Sequence, residues 1–108
     1  MTVFIVYVTT SGFAQAETLG KTLIQEKLAA CANITEGMTT IYPWKGKMEQ
    51  QQEAVLLLKT HEKLLERLRQ RIRELHSYET PCIMAWPVPF VDRDYAAWLE
   101  DSVTGQTP

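Results

Sequence analysis

The chain has 108 residues, the length of one domain. Hydrophobic residues make up 45% and charged residues 22% of it, a globular mixture, and eleven basic against thirteen acidic residues leave a net charge of −2. That balance lacks the basic excess of a nucleic-acid or anionic-membrane binder, and no apolar run approaches the roughly 20 residues that span a bilayer.

Residues 3–9 are β-branched and aromatic almost without break. Val3, Ile5 and Tyr7 alternate with Phe4, Val6 and Val8, so both faces of this strand are apolar and both are expected to be covered. The run lacks a basic leader and a cleavage pattern and is not read as a signal peptide. Ser11-Gly12 ends it. From 13 to 29 the period becomes helical, with Ala16, Leu19, Leu23, Ile24 and Leu28 on one stripe and Glu17, Lys21, Gln25 and Glu26 mostly off it.

Residues 31–34 read as strand entry, Gly37 interrupts, and 39–42 resume the strand. Lys45-Gly46 suits a two-residue hairpin turn, because glycine tolerates positive φ. Residues 47–60 then return as the partner strand, which ends apolar on both faces at 54–58. Thr60 is the expected N-cap of a second helix, with Glu62 in its first turn and Leu64, Leu65, Leu68, Ile72 and Leu75 as its stripe. His61 at its start reads as a surface residue. Residues 78–81 form a loop and 82–86 a last strand, closed by Pro87 and Pro89. Asp92 or Asp94 caps a short C-terminal helix carrying Tyr95, Trp98 and Leu99 on one side. Residues 1–103 make one domain, and 104–108 read as a disordered tail.

The order βαββαβ plus a terminal helix predicts an α+β, ferredoxin-like sandwich. That fold places both helices on one sheet face. The strands are apolar on both faces, so the bare face needs a cover. Self-association supplies one, and the C-terminal helix competes as a partial cover.

Two patches carry chemistry. Residues 42–47 set Tyr42, Trp44, Lys45 and Lys47 at the hairpin tip, with Lys47 across the turn from Trp44. Such a tip suits an anionic or planar ligand, or packing against a neighbouring subunit. Residues 76–81 join the second helix to the last strand, and His76 and Glu79 there suit a metal, an acid–base pair, or only a helix cap and a salt bridge. Cys31 and Cys82 lie outside any Cys-x-x-Cys pair and are expected as free thiols in a reducing cytoplasm. Arg67, Arg69, Arg71 and Arg73 split into two helical stripes interleaved with glutamates, a solvated face. The third strand has no aromatic platform for stacking bases, which argues against RNA. No phosphate loop or serine-nucleophile elbow is present.

Residues 26–34, Glu-Lys-Leu-Ala-Ala-Cys-Ala-Asn-Ile, resemble the helix-to-strand junction of CutA proteins. Tyr42-x-Trp44-x-Gly46-Lys47 is similar to their hairpin signature, His76-x-Tyr78-Glu79-Thr80-Pro81 to their second-helix exit, and Asp94-Tyr95-x-x-Trp98-Leu99 to their terminal helix. The resemblance implies a ferredoxin-like homotrimer of PII-like architecture, a link to divalent-cation tolerance and, in some members, copper binding. Copper-binding members can carry a Cys at the end of the first strand and a His pair at the second-helix exit. The matching positions are Thr9, Leu75 and His76, so His76 is the one candidate metal ligand and a divalent metal such as copper the one candidate cofactor. The expectation is a cytoplasmic signalling trimer, not an enzyme, that binds a small ligand or ion in clefts between subunits, with neither nucleic acid nor membrane as partner. Tyr42, Trp44, Lys47, Tyr78 and Glu79 are the expected cleft residues, with Cys31 nearby: the aromatics to stack, Lys47 to pair an anion, Glu79 to pair a cation or amine. A scaffold trimer without ligand, or an acid–base enzyme using His76 and Glu79, are the alternatives.

Overall fold

The computed structural model describes residues 2–104. Its strands are β1 (Val3–Thr10), β2 (Cys31–Trp44), β3 (Lys47–His61) and β4 (Ile83–Val88); its helices are α1 (Phe13–Gln25), α2 (Leu65–Leu75) and α3 (Arg93–Thr104). One antiparallel sheet in the order β2-β3-β1-β4 carries the fold, as the ferredoxin-like pattern requires.

Register explains the two apolar faces. Val6 lies opposite Leu58 and Ala85, and Val8 opposite Leu56 and Ile83. This set meets Leu19 and Leu23 of α1 and Leu68 and Ile72 of α2 in the main core. The alternate set, Ile5, Tyr7 and Leu57 with Met84 and Trp86 of β4, points to the other face. There α3 packs against β3, buries Leu99 and Val103, and holds the Tyr95 ring 5.6 Å from Lys59 Nζ. The rest of that face is open: Met84 is 56% and Trp86 44% exposed.

β1 stops at Thr10, opposite Ala54, so residues 38–53 of the hairpin pair only with one another. This two-stranded ribbon stretches the molecule to 50 × 26 × 23 Å. Lys45 (φ 51) and Gly46 (φ 78) turn it, with Trp44 paired to Lys47, so the two-residue turn forms as expected. Gly37 (φ 80) does not break β2; it sits in an irregularity between Thr35 and Met38 within one continuous strand.

Several boundaries differ from the sequence reading. α1 ends at Gln25 because Lys27 takes a left-handed conformation (φ 59). Leu28 N–H then bonds to Leu23 O and Lys27 N–H to Ile24 O, a Schellman closure that tucks Leu28 into the core. Thr60 is not a helix cap. The β1–β3 ladder runs on to the Val3–His61 pair, so Thr60 is buried in β3 and its hydroxyl donates to Leu28 O at 2.7 Å. The cap is His61, which is buried rather than on the surface; its Nδ1 accepts from Lys63 N–H at 3.0 Å and starts a 3-10 turn (Glu62–Leu64) ahead of α2. β4 continues through Pro87, which an edge strand tolerates. Of the two caps expected for α3, Asp92 is the one that forms, accepting from Asp94 N–H and Tyr95 N–H. Thr104 is still helical, so the expected tail does not begin there; positions 105–108 of that tail lie outside the described residues.

Candidate functional site

Strand alternation places Met38, Thr40, Tyr42 and Trp44 on one ribbon face with Gln51 and Glu53 across from them. The Tyr7 hydroxyl reaches Met38 Sδ at 3.8 Å, so this is the sheet face away from α1 and α2. The loop between α2 and β4 folds over its base. Together they enclose a groove of about 870 Å³, floored by Thr9, Glu53 and Cys82 and walled by Tyr42, Trp44, Tyr78 and Glu79.

The loop is held by His76, the residue that ends α2. Its Nδ1 accepts from Tyr78 N–H at 3.0 Å, so the ring proton sits on Nε2, which donates to Thr9 O at 2.8 Å. The His76 and Tyr78 rings lie 4.7 Å apart, tilted by 50°. So oriented, the Tyr78 hydroxyl donates to Glu53 Oε2 at 2.8 Å. Glu53 is only 5% exposed.

Burial, then the hydrogen bond and charge of Glu53, push the Tyr78 hydroxyl up to about 12 from an ordinary 10.0. The Cys82 thiol is likewise pushed up, by burial first and Glu53 second, and stays protonated at neutral pH. Because the folded value for Tyr78 is the higher one, its contribution to stability is complete below pH 10 and fades as pH rises through about 12. In a tyrosinate absorbance titration a step is therefore expected near pH 12 and should vanish in Tyr78→Phe. An unchanged high-pH step in that variant would assign the shift elsewhere.

Of the residues singled out from the sequence, Tyr42, Trp44, Tyr78 and Glu79 come together in the groove. Lys47 pairs with Trp44 but does not line it; Lys45 does, with Nζ 5.9 Å from the Trp44 ring centre. Cys31 lies opposite Lys59, toward the other end of the sheet. Glu53 also lies in the groove, outside both sequence patches. Its one signal is alternation: it shares a strand face with Val55 and Leu57, a charge in an apolar row.

The donors do not fit a copper site. Both ring nitrogens of His76 are engaged in hydrogen bonds, Thr9 offers a hydroxyl where a thiolate would be wanted, and the Cys82 thiol holds its proton. Among the described residues no group of three or more His, Cys, Asp or Glu is placed to hold a metal ion. On the far side of the molecule Arg71 bonds Glu26 through two 2.8 Å contacts and Glu74 through one of 3.0 Å, and Arg69 pairs with Glu66. These pairs account for half of the arginine run as a solvated, ion-paired helix face. No helix among the described residues is long and apolar enough to cross a membrane.

Residues 4–102 match the family model described as CutA1 divalent ion tolerance protein. The divalent-cation tolerance protein CutA of Pyrococcus horikoshii is 45% identical over 95 residues, which cover 88% of this chain and 92% of that protein. The protein of the same description from Thermus thermophilus is 39% identical over 98 residues, 91% of this chain and 95% of its own length. The crystal structure of CutA1 from Oryza sativa superposes with a TM-score of 0.93 at 35% identity, covering 95% of this chain and 94% of that one.

Proposed function

Because this chain belongs to the CutA1 divalent ion tolerance family, we propose that it is a trimeric cytoplasmic signalling protein that serves divalent-metal tolerance by binding a ligand, not by turnover. The groove at the ribbon base is the binding site, and the assembled trimer closes it. The observation that carries this reading is the Tyr78–Glu53 pair, a buried polar device held in place by His76 inside a groove walled by aromatics. Two further features support assembly. The open sheet face exposes Met84 and Trp86, and the ribbon exposes Ile41 on one side and Trp44 on the other. A two-stranded ribbon is marginal in water on its own, and apolar surface of this extent favours a partner. Free Cys31 and Cys82 are in keeping with a reducing compartment.

Light scattering should give three chain masses. Calorimetric titration with Cu(II), Zn(II) and a panel of small metabolites should find a saturating ligand whose binding is weakened severalfold in Trp44→Leu while the mass is unchanged. A variant that loses the trimer instead would favour a scaffold whose aromatics only build the interface, and a monomeric wild type would sink the assembly.

A further inference from the structure

Glu53 is a carboxylate at the floor of the groove, 5% exposed, whose hydrogen-bond partner is the neutral Tyr78 hydroxyl. Among the described residues no Lys, Arg or His nitrogen pairs with it. A buried charge lacking a counter-ion is strongly unfavourable, and native proteins pair such groups or bring a ligand to them. Glu79 adds a second carboxylate to the lining. The only cation in that lining, Lys45, rests its Nζ 5.9 Å from the Trp44 ring centre and makes no ion pair with Glu53. A simple anion would meet repulsion here. A bare divalent metal would find too few donors.

We propose that the groove binds a small organic cation with N–H donors, an alkylammonium or alkylguanidinium, whose head pairs with Glu53 and whose stem lies against Tyr42 and Trp44. The inference rests on the groove being a ligand site and names the chemistry of that ligand. N–H donors matter because a carboxylate gains most from a charge-assisted hydrogen bond, while aromatic walls add cation–π attraction and apolar contact. The groove's volume of about 870 Å³ suits a metabolite.

The test titrates the intact protein calorimetrically with butylguanidinium, butylammonium, tetramethylammonium and butyrate. The two N–H cations should saturate. Tetramethylammonium, with no N–H, should bind about tenfold more weakly, and butyrate should not bind. Glu53→Gln should weaken the N–H cations by about tenfold or more. Because Glu53 is buried, Trp44→Leu on the exposed ribbon is a second variant, expected to weaken them severalfold with an unchanged circular dichroism spectrum. Butyrate binding as tightly as the cations, with the same dependence on Trp44, would overturn the cationic class and leave the groove a ligand site. No binding by any probe would overturn both. Cation binding unaltered in Trp44→Leu would place it outside this groove and overturn the inference.

Discussion

Leu58→Ala is expected to lower unfolding free energy by about 3 kcal/mol, within the range for a buried leucine truncated in a closed core. Leu58 sits on a central strand, fully buried, with Val6 on one neighbouring strand and Ala32 on the other. Leu23 of α1 and Leu68 and Ile72 of α2 complete the same cluster and are themselves fully buried. The void has no route to collapse, because strands hydrogen-bonded on both sides hold the backbone in place. Against the roughly 5–15 kcal/mol of a typical domain this is a large fraction. Urea denaturation at fixed chain concentration measures it, with Gln70→Ala on the exposed face of α2 as the control expected to change stability little. A loss at Leu58 no larger than at Gln70 would mean that the sheet and helices do not meet as described.

The second large effect is on the proposed trimer. Replacing Met84 by Lys and Trp86 by Glu is expected to leave a folded monomer. Both side chains lie on the sheet face away from α1 and α2, and both are substantially exposed, so neither contributes to the main core. In a trimer whose sheets face one another they would be buried, and each new charge would then be taken out of water. The desolvation penalty is several kcal/mol per unpaired ion, enough to outweigh the gain from burying two apolar side chains. Light scattering reads the mass, and circular dichroism confirms the fold. A variant still trimeric would show that this face is not the interface.

Much of the architecture was legible because it depends on neighbours in sequence. The alternation at 3–8 and 54–58 marked strands covered on both faces, and the helical stripe of Leu65, Leu68, Ile72 and Leu75 marked α2. Lys45-Gly46 was readable as a turn because two residues at positive φ favour glycine. Boundaries failed where a distant strand decided them. Whether Thr60 caps a helix or stays in a strand depends on Val3, which pairs with His61 and prolongs the ladder. Pro87 read as a stop, yet β4 lies at the sheet edge, where a missing N–H is tolerated.

The sequence by itself determined the strand and helix order, the apolar second face with its need for a cover, and the two patches at 42–47 and 76–81. Local periodicity and turn chemistry are enough for those. Only the tertiary structure decided which members of the patches meet. The β2 irregularity and the length of the ribbon bring Tyr42 and Trp44 over the α2–β4 loop, while Lys47 and Cys31 stay out of the groove. His76 spans 67 residues to reach Thr9, and Tyr78 spans 25 to reach Glu53. Hydrogen bonds across such separations leave no periodic trace. The carboxylate at the floor of the groove therefore emerges only once the strands are in register.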